Sequence, residues 1–70
     1  MNQYRVIFYK YLLSSDGHPF KCVQGAIDIR RAKSAERAIA AAERRYERSR
    51  RATDWRLYAD CLELENSERS

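Results

Sequence analysis

The sequence predicts a small α+β domain with the order strand, strand, helix, strand (ββαβ), in which one helix packs on a three-stranded antiparallel sheet. Apolar residues alternate with period two along residues 4–13, 20–29 and 54–64, which is typical of strands. Between them, residues 34–50 switch to the i, i+3, i+4, i+7 spacing of an amphipathic helix. A length of 70 residues indicates one domain. We expect it to occupy residues 1–64, followed by a disordered polar tail at 65–70.

The first predicted strand, residues 4–13, is rich in aromatic and β-branched residues, and both of its alternating faces are largely apolar. A strand of this composition is typical of the centre of a sheet. One face carries Val6, Phe8 and Leu12, and the other carries Ile7, Tyr9, Tyr11 and Leu13.

A hairpin is expected to follow. Residues 14–19 (SSDGHP) give the clearest turn signal in the chain, because an Asp-Gly pair readily takes positive φ and a proline often closes a loop. Residues 20–29 then alternate as a half-buried edge strand does, with Val23, Gly25, Ile27 and Ile29 on one side.

The predicted helix has three separate stripes rather than two. Ser34 is the expected N-cap, and the apolar stripe consists of Ala35, Ala38, Ile39, Ala42 and Tyr46. A second line consists of Glu36, Glu43 and Glu47, and a third of Arg37, Arg44, Arg48 and Arg51. Like charges one turn apart cost an isolated helix roughly 0.2–0.5 kcal/mol per pair, so this separation suggests selection for something other than helix stability.

The last predicted strand, residues 54–64, changes its apolar side near Ala59, which we interpret as a bulge or a twist. The preferred sheet order is 2-1-3, because it places the doubly apolar first strand in the middle. The alternative order 1-2-3 makes the second and third strands parallel and leaves the most apolar strand on an edge, where it invites aggregation.

The core is expected to be thin. Nine of the 31 hydrophobic residues are Ala and five are Tyr, which leaves Val, Ile, Leu, Phe and Trp at 14 positions. A core of this size rarely supplies more than about 3–5 kcal/mol, and natural domains of similar length often add disulfides, a metal or oligomerisation. Two Cys and one His offer little toward the first two, so the sequence predicts oligomerisation.

Self-association has two candidate routes. With the helix on one sheet face, the other face has no cover from the chain itself, and it carries either Ile7, Tyr9, Tyr11 and Leu13 or the Val6, Phe8, Leu12 row. Alternatively, two antiparallel helices related by a two-fold axis set the Glu line of one copy against the Arg line of the other.

No pattern for catalysis or for a cofactor is evident. The two glycines form neither a P-loop nor a dinucleotide-binding motif, and His18 reads as a solvated turn residue. Cys22 and Cys61 lack the spacing of a zinc site and are expected to be two buried thiols, although a pair of strands could bring them together. We therefore expect a protein that is not an enzyme and that has no metal, cofactor or small-molecule substrate.

The N-terminus has no signal-peptide pattern, because Arg5 and Lys10 interrupt its apolar run. No segment approaches the roughly 18 apolar residues of a membrane span. These features predict a bacterial-type cytoplasmic protein that does not bind a membrane.

Nucleic-acid binding is the alternative function. Residues 30–56 hold ten basic residues against four acidic ones. The line Arg37, Arg44, Arg48, Arg51, with Arg30, Arg31 and Lys33 nearby, could follow a phosphate backbone, although the Glu line would repel it and a charged helix face is most often only solvated. Tyr9 and Tyr11 on an open sheet face could instead stack bases. The preferred prediction is that the protein is a non-enzymatic interaction module, which binds a second copy of itself or another protein.

Overall fold

A computed structural model describes residues 2–66 and contains three strands, one α-helix and one 3-10 helix. The elements are β1 (Asn2–Leu13), β2 (Pro19–Ala32), α1 (Ala35–Arg50), the 3-10 helix (Trp55–Leu57) and β3 (Cys61–Asn66). The sheet order is β2-β1-β3, and both pairings are antiparallel. The ββαβ fold and the 2-1-3 order predicted from sequence are therefore confirmed.

Strand β1 divides its side chains between the two sheet faces, as its alternation requires. Tyr4, Val6 and Phe8 are buried under α1, and Val6 and Phe8 have no exposed surface. They pack with Ile29, Ala32, Ala38, Ala42, Tyr46 and Ala59 to form the core. The row Ile7, Tyr9, Tyr11, Leu13 consequently lies on the face away from α1, which decides between the two rows considered above.

Three aromatic rings form the centre of the core. The Phe8 ring stacks on Tyr46 with centroids 4.1 Å apart and planes at 11°, and it meets Trp55 edge-on at 5.4 Å. Strand β2 contributes Gly25 directly beside Tyr46, where a Cβ would lie 3.0 Å from Cε1 of that ring. The absence of a side chain at residue 25 therefore allows the tyrosine to pack against the strand.

The β1–β2 connection is the five-residue loop 14–18. The Ser14 amide donates to the His18 carbonyl at 2.9 Å, and the Gly17 amide donates to the Ser14 carbonyl at 2.9 Å. Gly17 has φ 85°, in the left-handed region that glycine adopts without steric cost. The turn predicted from the Asp16-Gly17 pair is present.

Strand β2 is longer than predicted and contains two irregularities. Gln24 has no partner in the register, which steps from Phe8 opposite Gly25 to Tyr9 opposite Val23. Near its end, Arg30 and Arg31 face the single residue Gln3, because Tyr4 pairs with Ile29 and Asn2 pairs with Ala32. Bulges of this kind bend a strand and redirect its side chains.

Helix α1 begins and ends much as predicted. The Ser34 hydroxyl accepts a hydrogen bond from the Arg37 amide at 3.2 Å, which satisfies one of the free donors of the first turn. Arg51 ends the helix with φ 54°, and the Ala52 amide donates to the Glu47 carbonyl at 2.9 Å. Arg48 and Arg50 in the last turn complement the negative end of the helix dipole.

The third strand was predicted over residues 54–64, and its first half is wrong. Trp55–Leu57 is a 3-10 helix, and β3 begins only at Cys61. The Asp54 carboxylate caps the 3-10 helix by accepting from the Arg56 amide at 3.0 Å, and the Trp55 amide donates to Glu47 Oε2 at 2.9 Å. These contacts turn the Trp55 ring onto the core, so the change of apolar side near Ala59 reflects a change of element and not a bulge.

The join between the 3-10 helix and β3 uses Asp60 twice. Its amide donates to the Tyr9 carbonyl at 2.7 Å, and its carboxylate accepts from the Tyr11 amide at 2.7 Å. The Asp60 side chain thus takes the place of a backbone carbonyl where β3 no longer accompanies β1.

Strand β3 extends into the segment predicted to be a disordered tail. Glu65 pairs with Arg5 and Asn66 pairs with Tyr4, so the predicted boundary at residue 65 is two residues too early. The remainder of the predicted tail, residues 67–70, lies outside the described residues. Within residues 2–66, no helix has both the length and the apolar character needed to cross a membrane.

Candidate functional site

The sheet face opposite α1 collects the four residues that the sequence predicted for self-association. Ile7 and Tyr9 are half-buried, whereas Tyr11 is 52% and Leu13 is 73% exposed. Direct pairing adds Val23, which lies opposite Tyr9 and is 59% exposed. No element formed by the described residues packs on this side. We call it the open sheet face, defined by Ile7, Tyr9, Tyr11, Leu13 and Val23.

The open sheet face continues onto a part of the hairpin that α1 does not reach. The helix of 16 residues is about 24 Å long at 1.5 Å per residue, whereas the molecule extends 44 Å. Its last turn lies beside Gln24, whose carbonyl accepts from Arg50 at 2.6 Å. Leu12 and Phe20, beyond this point on the helix side, are therefore 37% and 47% exposed. Sequence reasoning missed this overhang, because no local pattern says how far a helix runs over a sheet.

Two ion pairs border the apolar row of the open sheet face. Lys21 Nζ lies 2.5 Å from a Glu63 carboxylate oxygen and 4.8 Å from the centre of the Tyr9 ring. Arg5 Nε lies 2.8 Å from Asp28 Oδ1. The first pair joins β2 to β3 across the central strand. Its members are 42 positions apart, so no local pattern could indicate that they meet.

These contacts shift the ionisation of the groups involved. The hydrogen bond from Lys21 lowers the pKa of Glu63, and the Arg5 hydrogen bond lowers the pKa of Asp28. Desolvation raises the pKa of Tyr9, and a hydrogen bond with the Cys61 thiol raises that of Tyr11. Both tyrosines therefore stay neutral at physiological pH and present apolar rings with hydroxyl groups at their tips.

Acid is expected to destabilise the fold through its carboxylates. A group with a lowered folded-state pKa stabilises the protein above its ordinary pKa, and this contribution is lost as the pH falls through the folded-state value. The ordinary value for Glu63 is 4.5, so the urea midpoint should change little between pH 7 and pH 5 and fall at lower pH. The carboxylates with lowered pKa are Asp16, Asp28, Asp54 and Glu63.

Glu63→Gln should weaken this acid dependence, because it removes one of those carboxylates. Glu65→Gln is the matched control, since residue 65 lies next on the same side of β3 and takes part in no ion pair within residues 2–66. Urea titrations of the three proteins at pH 7, 5 and 3 make the comparison. An equal acid dependence in the Glu63→Gln variant and the parent protein contradicts the prediction.

The two charge lines of α1 face different surroundings. Arg37, Arg44, Arg48 and Arg51 are all exposed, and their side chains form no ion pair with any described residue. Glu47 instead accepts the Trp55 amide. The hydrogen bond with Asp54 is the main cause that raises the pKa of Arg56, and the charges of Glu43 and Glu47 raise it further. Glu43 and Glu47 are therefore directed toward the 3-10 helix. Contacts within the chain can therefore explain why these acidic residues lie apart from the arginines on α1.

On its other side, the arginine surface of α1 continues onto β2. A cleft of about 450 Å³ lies between them, bounded by Asp28, Ile29, Arg30, Arg31, Ala41 and Arg45. Arg45 Nη1 donates to the Asp28 carbonyl at 3.3 Å, which holds its guanidinium at the cleft. We call this the basic cleft. Arg45 was not among the predicted contacts, although its position beside the apolar stripe could have indicated it.

The candidate metal ligands do not come together. Cys22 pairs with Lys10 and Cys61 pairs with Tyr9, so the two thiols lie on opposite faces of the sheet and are free. His18 is exposed in the hairpin loop, 3.9 Å from Asp16. Across residues 2–66, no three or more His, Cys, Asp or Glu side chains are grouped as a metal site requires.

Two surfaces thus have the composition of binding sites: the open sheet face, which is apolar with a charged border, and the basic cleft with its neighbouring arginines. No protein-family model, curated protein or solved structure matches this chain.

Proposed function

We propose that this protein is a non-enzymatic interaction module that forms a homodimer, with the open sheet faces of two copies packed back to back. The observation that carries the proposal is the apolar row of β1 on a face that no described element covers. Contiguous exposed apolar surface of this kind usually marks an interaction site. Tyrosine is also among the residues enriched at such sites.

The charges of the open sheet face favour a second copy as the partner. Arg5 and Lys21 lie beside acidic neighbours, so the border of the apolar row carries both signs. A two-fold axis brings the same patch of both copies together, and a border of mixed sign can then meet itself without net repulsion. An antiparallel pair of α1 helices would instead set the Glu line of one copy against the Arg line of the other. Glu47, which such a pair needs, already accepts the Trp55 amide.

The size of the sheet also suits a dimer. A standard interface buries about 800 Å² on each partner, and a face within the 44 by 31 Å outline of this molecule can supply that area. The interface would add apolar burial to a thin core, since four of the nine buried core residues within residues 2–66 are Ala. Burying Tyr11 and Leu13 at the interface would contribute roughly 1.5–3 kcal/mol for each well-buried side chain.

Light scattering coupled to size exclusion, at two salt concentrations, tests the proposal. We expect a dimer, and we expect the double variant Tyr11→Ser, Leu13→Ser to raise the dissociation constant more than about tenfold, because both side chains are exposed in a single copy. Leu57→Ser is the matched control, since Leu57 is 66% exposed but lies in the 3-10 helix.

The helix route gives a different result in the same experiment. Reversing Arg44 and Arg48 to Glu should leave the dimer intact if the open sheet face is used, and loss of the dimer in this variant alone would assign it to α1. A parent protein that remains monomeric at about 1 mM overturns the proposal, since a weaker affinity corresponds to only about 4 kcal/mol.

A further inference from the structure

We infer that the basic cleft, together with the exposed arginines of α1 beside it, is a docking site for the phosphate backbone of a nucleic-acid duplex. This inference does not depend on the dimer, because neither the cleft nor those arginines belong to the open sheet face. Three features of this surface favour it: the arrangement of the arginines, the placement of the nearby carboxylates and the lack of aromatic side chains among the residues that border the cleft.

Ala41 lies among the arginines of the helix side of this surface. Its neighbours at i−4, i+3, i+4 and i+7 are Arg37, Arg44, Arg45 and Arg48, all of them exposed. The small side chain at residue 41 leaves the cleft open between α1 and β2. A phosphate group can therefore approach the helix closely while guanidinium groups lie around it.

Strand β2 supplies the other side through its second bulge. Ile29 and Ala32, on either side of this bulge, are buried in the core under α1. Arg30 and Arg31, which face Gln3 at the bulge, both border the cleft. The cleft thus adds Arg45 to the basic surface that the sequence predicted from the Arg line with Arg30 and Arg31 nearby.

The nearby carboxylates are directed elsewhere. Asp28 borders the cleft, but its carboxylate is paired with Arg5 at 2.8 Å, and these direct partners share the side of the sheet away from α1. The Asp28 carbonyl is what Arg45 contacts. Glu47 lies about a quarter-turn of α1 from Arg44 and Arg48, and its carboxylate accepts the Trp55 amide. The carboxylates of Asp28 and Glu47 therefore already have partners within the chain.

The chemistry of this surface favours a phosphate backbone. Guanidinium groups bind phosphate oxygens through two parallel hydrogen bonds, which makes Arg the preferred residue for such contacts. Along α1, Arg44 and Arg48 lie about 10 and 16 Å from Arg37 at 1.5 Å per residue. A duplex carries one negative charge per roughly 1.7 Å of its axis, so several phosphates fall within this length.

The composition of the basic cleft favours a duplex over a single strand. Single-strand sites usually combine a positive groove with aromatic rings on which bases stack. The residues that border the basic cleft include no aromatic side chain. Tyr9 and Tyr11 lie on the open sheet face and cannot act together with it. A duplex, which offers phosphates while its bases stay stacked, fits this surface better, and contacts of this kind position a protein without reading sequence.

Fluorescence anisotropy with a labelled 20-base-pair duplex and a single strand of equal length tests the inference from 50 to 300 mM salt. For four or five phosphate contacts, we expect a log–log slope of about −4 with duplex and weaker binding to the single strand. Arg44→Gln and Arg45→Gln should each reduce the slope by about one unit. The matched control is Arg56→Gln, because Arg56 is paired with Asp54 in the 3-10 segment at 3.0 Å.

Three outcomes overturn the inference: no duplex binding at 50 mM salt, tighter binding to the single strand, or an equal loss in Arg56→Gln, which would indicate net charge rather than a site. The double variant Tyr11→Ser, Leu13→Ser should keep the slope of the parent protein. This result separates duplex binding from self-association, so either idea can fail while the other stands.

Discussion

Replacing Phe8 by Ala is expected to unfold the protein at ambient temperature. The Phe8 side chain has no exposed surface and contacts both Tyr46 and Trp55, so its removal leaves a cavity at the meeting point of α1, β1 and the 3-10 helix. Truncations of a buried Phe cost about 3–5 kcal/mol. This loss equals the whole net stability, about 3–5 kcal/mol, that a core of this size usually supplies.

Circular dichroism during thermal and urea unfolding measures the effect. Phe20→Ala is the matched control, because it makes the same chemical change at a position that is 47% exposed beyond the end of α1. We expect the control to lose less than about 1 kcal/mol. A Phe8→Ala variant that unfolds within a few degrees of the parent protein shows that the aromatic cluster is not the centre of the core.

Gly25→Ala is expected to cost about 1–3 kcal/mol, although Ala is otherwise the better residue in a strand. Gly25 does not have positive φ, so the cost arises from contact and not from backbone strain. The new Cβ would lie 3.0 Å from Cε1 and 3.4 Å from Cδ1 of Tyr46. That ring is 2% exposed and stacked on Phe8, so it has little room to move.

A double-mutant cycle isolates this contact. In a Tyr46→Leu background the ring is absent, and Gly25→Ala should then be nearly neutral, which gives a coupling energy of about 1–3 kcal/mol between the two positions. Urea unfolding of the four proteins supplies the values. Additive effects in the cycle contradict the contact and place the cost of Gly25→Ala elsewhere.

The open sheet face could be largely predicted, because most of its residues belong to one strand, β1, and follow the alternation of that strand. Alternation fixed which residues share a side, and two apolar sides indicated a central strand with one side uncovered. The sequence did not show which of the two β1 rows, the one ending in Leu12 or the one ending in Leu13, lies on the uncovered face. It depends on which side α1 packs against, and the burial of Val6 and Phe8 answers that question.

The basic cleft could be predicted only in part. Helical spacing alone groups Arg44 with Arg48, and the basic residues before Ser34 were noted as neighbours. The cleft itself depends on the crossing of α1 over β2 and on the bulge opposite Gln3, both of which are tertiary features. The 3-10 helix shows the same limit, since a side chain of α1 holds Trp55 in place of a strand partner.

Local sequence patterns were enough to predict the β1–β2 hairpin, the helix from Ala35 and the antiparallel order of the sheet, because periodicity, capping and turn preferences act over a few neighbouring residues. The start of β3, the overhang of the hairpin and the direction of each charge line depended on how the elements pack together. These depend on contacts between distant positions such as Lys21 with Glu63 and Asp60 with Tyr11. A local pattern carries no information about which distant group will satisfy a given donor or charge.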